Sequence, residues 1–138
     1  MKTLEDVKID MENDIKYLFS LELSVVNKLL DDPILKEGLF KRAAIYYDLA
    51  MKAPSPLPNI FGLIYIHNCT QKQAALLLGI SGSYVSKLHS KLLLYFVDKI
   101  NEMEEKGSYI CDENSMNDLL SSVYNKDSLD LEPDFEWE

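Results

Sequence analysis

Apolar residues in this chain recur at helical spacing, and strand-like alternation is nearly absent. Over 11–30 the positions Ile15, Leu18, Phe19, Val25, Val26, Leu29 and Leu30 mark one helical face, interrupted by Glu22. The mixed-charge stretch 1–10 ahead of it either frays or begins a helix. Asp31, Asp32 and Pro33 close the first helix and open a second, because proline fits a first helical turn, where its missing N–H is not needed. The second helix is predicted to run to about Lys52, with Leu35, Leu39, Ala43, Tyr46 or Tyr47, and Ala50 on one face and Gly38 weakening its start. Pro54, Pro56 and Pro58 then make a stiff linker, since each fixes its own φ and extends the residue before it.

No charged residue occurs between Lys52 and Lys72. Within that window, 59–66 reads Asn, Ile, Phe, Gly, Leu, Ile, Tyr, Ile. A helix apolar on every face must be surrounded by protein, so this is the expected central element. A buried strand is the competing reading, because Ile and Tyr favour strands. Gly62 suggests close approach by a neighbouring helix.

The stretch 70–92 reads as a helix-turn-helix. Thr70 caps a short helix over Gln71–Leu78. Gly79 stands where the chain leaves that helix with positive φ, and Ile80 turns inward. Ser81 caps a second helix whose apolar residues Val85, Leu88 and Leu92 recur at i, i+3 and i+7. Ala74 and Ala75 allow a close crossing. The outer face left by this pattern is Ser83, Ser86, Lys87, Ser90 and Lys91, short polar groups with two lysines, which suits a major groove. Tyr84 and the cap Ser81 border it. Gln71 and Lys72, at the start of the supporting helix, are expected to hold phosphate. The plain alternative for Lys87 and Lys91 is a solvated face, and His89 reads as a surface histidine beside it. The second helix continues through Leu93, Leu94, Tyr95, Phe96, Val97 and Ile100 towards Glu105, and Gly107 ends it.

Beyond Gly107 a short amphipathic helix starts at Ser115, with Met116, Leu119, Leu120, Val123 and Tyr124 on its apolar side. Packing on the domain and formation of a homodimer are both open to it. Over 127–138 acids alternate with Leu129, Leu131, Phe135 and Trp137. Such a segment is solvated when free, or docks its apolar residues in a basic-rimmed groove on a partner.

With 138 residues and 47% hydrophobic composition, one domain with tails is expected. The fold class is all-α: a single five-helix cyclin-like domain over 11–106, preceded by 1–10 and followed by an acidic tail over 107–138. The net charge of −9 argues against nucleic acid until its distribution is read. Residues 59–100 hold four lysines and one acid, a net of +3, while 101–138 hold twelve acids and two lysines, a net of −10. A weakly basic head carries an acidic tail, so phosphate contacts are few and binding is salt-sensitive. Cys69 and Cys111 form no CxxC and have no histidines at ligand spacing, so no metal is expected; a disulfide stays open, with free thiols the expectation inside a cell. No apolar run crosses a bilayer and no signal-peptide pattern is present. A cytoplasmic or nuclear protein, not secreted, is therefore expected. Catalysis is not, since a glycine-rich phosphate loop, a nucleophile elbow and paired histidines are all lacking; no cofactor is implied.

Three stretches resemble the second cyclin repeat of transcription factor IIB and its archaeal counterparts. Ala43, Ala44, Ile45, Tyr46, Tyr47, Asp48, Leu49 and Ala50 are similar to that repeat's second helix. Ser55 and Pro56 followed by Ile64, Tyr65 and Ile66 are similar to its Ser-Pro and buried third helix. Thr70, Gln71, Lys72 and Gln73 followed by Gly79, Ile80, Ser81 and Val85 are similar to its helix-turn-helix. The resemblance implies a repeat that reads a promoter element beside the TATA box while the core contacts TATA-binding protein. Ser83 and Ser86 then stand where the family's recognition helix reaches base edges, and Ser86 replaces a frequent arginine. That exchange removes a guanine contact of about 1–3 kcal/mol. The zinc ribbon and the first repeat are missing. The helix-turn-helix also resembles region 4 of bacterial sigma factors, which binds the −35 element and RNA polymerase.

The sequence therefore leads to a DNA-binding transcription regulator that reads double-stranded DNA and uses Leu129, Leu131, Phe135 and Trp137 on a protein of the transcription machinery. A cyclin-like interaction module or decoy without DNA binding, and a partial sigma factor acting with a separate subunit, are the alternatives.

Overall fold

The computed structural model describes residues 1–107 and 113–126. These residues form seven helices and no strand. Helix α1 begins as Leu4–Asp10, widens into a π-helical stretch over Met11–Lys16 and closes as Tyr17–Ser20. Helix α2 is Leu23–Leu30. Helix α3 combines Pro33–Leu35, a π-helical stretch over Lys36–Phe40 and Lys41–Lys52. Helix α4 joins Leu57–Phe61 to a π-helical stretch over Gly62–Ile66. Helix α5 is Gln71–Leu78, α6 is Gly82–Glu105 and α7 is Glu113–Tyr124.

The all-α class is as expected, but the helix count is not five. Leu21 and Glu22 are extended, so 11–30 is two helices. The break lets α2 turn and set Val26, Leu29 and Leu30 against the core. The first residues are part of α1. Thr3 and Asp6 form a reciprocal capping box, and Lys2 and Asn101 exchange two hydrogen bonds of 2.8 and 3.0 Å that tie the N-terminus to α6.

Helix α4 is the centre. Leu57, Ile60, Phe61, Leu63, Ile64 and Tyr65 are buried, and it touches α1, α3, α5 and α6, while the stripe of Pro58, Gly62 and Ile66 is half-buried and no neighbour approaches Gly62 closely. A helix this apolar has no face that water would stabilise, so the rest of the chain closes round it. Phe61 packs edge-on against Phe96 of α6 at 6.3 Å, and Phe96 against Tyr46 of α3 at 5.3 Å. Pro58 lies in the first turn of α4, where no N–H is required. Two polar ties fasten α1 to α3. The buried Asp14 carboxylate accepts from Arg42 Nε at 3.0 Å and Nη2 at 3.3 Å, and Asp10 accepts from Tyr46 Oη at 2.6 Å. Arg42 satisfies a carboxylate that burial would otherwise penalise.

Helix α7 lies against α3. Leu119 and Val123 are fully buried there, so this part of its apolar side packs on its own domain. Tyr124 Oη donates to Asn27 Oδ1 at 2.8 Å. Lys126 Nζ donates to the carbonyls of Phe19 and Leu21, closing the C-terminal end of α1 with a cation. No helix among the described residues is long and apolar enough to cross a membrane.

If α7 is part of the core, Leu119→Ala will lower unfolding stability by about 2–5 kcal/mol in a urea titration, the range for truncating a buried leucine. A loss below about 0.5 kcal/mol, the surface-substitution range, would mean that α7 is only loosely attached.

Candidate nucleic-acid interface

The helix-turn-helix is built by local rules that the sequence states openly. Thr70 Oγ1 accepts from the Gln73 N–H at 3.1 Å, and Gln73 Oε1 accepts from the Thr70 N–H at 2.8 Å. This capping box starts α5. Gly79 ends it at φ 68°, ψ 33°, a left-handed conformation costly for any residue with a Cβ. The Ile80 N–H reaches back to the Ala75 carbonyl at 3.1 Å. Ser81 Oγ then accepts from the Tyr84 N–H at 3.1 Å and starts α6. Ala74 and Ala75 are buried on α5, and Val85, Leu88 and Leu92 on α6. Two alanines on the crossing side allow the close approach expected of them.

Of the nine residues expected at DNA, seven are exposed: Lys72, Ser81, Ser83, Ser86, Lys87, Ser90 and Lys91. Among the described residues no carboxylate comes within 4.0 Å of Lys72, Lys87 or Lys91. Ser81 is exposed, but its oxygen serves as the helix cap and lies 3.2 Å from Ser83 Oγ. Tyr84 is half-buried against the core. Gln71 is also half-buried, on the stripe that Ala74, Ala75 and Leu78 follow, and its amide nitrogen meets His89 Nδ1 at 3.4 Å. Its side chain lies towards His89 of α6 in this arrangement. Leu129, Leu131, Phe135 and Trp137 lie outside the described residues, as does Cys111. The Cys69 thiol is free, and burial pushes its pKa up.

Two features escape a reading of the sequence. His89 is not a surface residue. Its ring stacks on Tyr65 of α4 with centroids 5.7 Å apart, and Nε2 lies 2.5 Å from Tyr65 Oη. It joins α6 to the central helix. Its place between Val85 and Leu92, on the edge of the buried stripe, was the available signal. The second feature is on α5. Leu76 and Leu77 are 77% and 53% exposed, beside Lys72 and Gln73 on one stripe. The run 74–78 is apolar throughout, and setting Ala74 and Ala75 at the crossing left open which of the three leucines faced out.

Comparison with known proteins returns no match: no family model, no curated protein and no solved structure is similar to this chain.

Burial holds His89 below the ordinary imidazole value, helped by Lys8 and Lys16 of α1 and opposed by Glu12. The fold thus prefers the neutral ring, and a proton on Nδ1 would confront the Gln71 amide with a second donor. The unfolded chain takes up that proton near pH 6.5, so stability is full above that pH and falls as the pH drops towards the lower folded value. The melting temperature will rise between about pH 5.5 and 7.5. In His89→Gln that rise will shrink. An equal slope in both proteins would show that His89 does not sense the fold.

Proposed function

We propose that this chain is a DNA-binding transcription regulator whose α5–α6 helix-turn-helix enters a major groove. The observation that carries the reading is the outer face of α6, where Ser83, Ser86, Lys87, Ser90 and Lys91 are all exposed while the opposite face is buried. Short hydroxyls suit mixed donor and acceptor edges of bases, and the lysines suit phosphate. Lys72 extends the positive charge onto α5, next to the Gln71–His89 contact that sets the start of α5 against the middle of α6. The long α6 roots the reading face in the core through Phe96 and Ile100, so the recognition surface is rigid rather than mounted on a loop.

Within this proposal the helices over 11–106 correspond to a cyclin-like repeat of the transcription factor IIB kind. The acidic C-terminal segment serves a protein of the transcription machinery, TATA-binding protein or RNA polymerase. A partial sigma factor would use the same face of α6. The exposed Leu76 and Leu77 favour one further reading, an interaction module that binds protein through α5 without DNA.

Fluorescence anisotropy with labelled random-sequence duplex tests the assignment. Binding is expected at low salt and will weaken steeply as salt rises. Lys87→Ala and Lys91→Ala will each weaken it for all sequences and reduce the log–log salt slope by about 0.9. Ser86→Ala will instead alter which sequences a selection recovers. Absence of binding at low salt by the full chain and by a variant with its acidic segment neutralised would end the DNA reading.

A further inference from the structure

We propose that the C-terminal segment 127–138 docks on the chain's own helix-turn-helix, laying its apolar residues on Leu76 and Leu77 of α5 and its acids against Lys72, Lys87 and Lys91. The contact stands on the geometry below; its consequence, masking of the DNA face, rests on the function proposed above.

The surface asks for a cover of this composition. On α5 the residues Lys72, Gln73, Leu76 and Leu77 form one outward stripe, and a leucine 77% exposed beside another 53% exposed is a costly surface for a small domain. On α6 the outward residues Ser83, Lys87, Ser90 and Lys91 lead to Leu94, itself 56% exposed. The three exposed lysines here, like Lys28 and Lys36 elsewhere, have no acidic partner among the described residues, but only here do such lysines flank exposed leucines on adjoining helices. The segment 127–138 supplies the complement: six acids, no base, and Leu129, Leu131, Phe135 and Trp137 between them.

The segment also starts in the right place. Lys126 is pinned to the Phe19 and Leu21 carbonyls and lines a cavity of about 390 Å³ together with Ile66, His67 and Asn68. Asn68 takes φ 56° and delivers the chain to Thr70 and α5. The segment therefore leaves the domain beside the start of α5. Helix α5 has eight residues and is about 12 Å long. Twelve extended residues reach about 40 Å, so both stripes are in range. Because the segment is tethered, docking competes at high effective concentration, and contacts too weak to hold a free peptide suffice. Its ion pairs are exposed, so salt weakens them.

Trp137 is the only tryptophan, which gives a direct readout in the full chain. At low salt its emission should be blue-shifted and protected from acrylamide, relative to a free peptide of residues 127–138. Salt, the double variant Lys87→Glu with Lys91→Glu, and Leu76→Ser with Leu77→Ser should each shift the emission to the red and abolish the protection. Lys28→Glu with Lys36→Glu, exposed lysines on α2 and α3, should leave it unchanged. Emission identical to the peptide at low salt would overturn the proposal. So would protection that survives both surface variants, or protection that grows with protein concentration, which would mean a second copy supplies the segment. Duplex DNA gives the second arm. Neutralising the segment in the full chain (Asp130→Asn, Glu132→Gln, Asp134→Asn, Glu136→Gln) should tighten DNA binding about tenfold, and DNA should expose Trp137. If Trp137 is protected but neither protein binds DNA, docking stands and the DNA reading fails. If both bind DNA equally and Trp137 is exposed, the DNA reading stands and docking fails.

Discussion

Everything in this domain depends on enclosing α4. Residues 53–71 contain no charge, and ten of them form a helix with apolar groups all the way round. Such a helix has no stable place at a surface. Helices α1, α3, α5 and α6 are therefore arranged as its wall, and the aromatic contacts from Tyr46 through Phe96 and Phe61 to Tyr65 run through the middle of the assembly. Apolar burial supplies the drive, and the polar ties decide which helix lies where. Asp14–Arg42 and Asp10–Tyr46 fix α1 on α3, while Lys126 and Tyr124 fix the end of α7 on α1 and α2.

That enclosure positions the outer face of α6. Val85, Leu88, Leu92, Phe96 and Ile100 form one buried line along α6, so the residues opposite them must point outward. The polar face is a consequence of core packing and needs no contacts of its own. His89 sits at the boundary between the two. Its stack on Tyr65 ties α6 to the central helix, and a neutral ring is the state that fits there.

Charge is divided with equal clarity. The helix-turn-helix region is weakly positive, while the C-terminal third carries most of the acid. On the proposed function, a surface with three exposed lysines for phosphate depends strongly on whatever else competes for them. In that proposal the tethered acidic segment is such a competitor and controls a weak DNA binder.

The sequence by itself determined the local devices. Thr70, Gly79 and Ser81 announce the two caps and the turn, because capping and left-handed φ are decided within a few residues. The charge-free window around α4 and the periodic line along α6 were equally legible, since burial pattern follows directly from helical period. What the tertiary structure decided was whatever needs two distant segments at once. The break at Leu21 and Glu22, the docking of α7 on α3, the inward turn of Gln71 and the pairing of His89 with Tyr65 all depend on partners far away in sequence. Leu76 and Leu77 make the same point in reverse: in a run of apolar residues every position looks fit for the core, and only the packed neighbours decide which of them are left facing water.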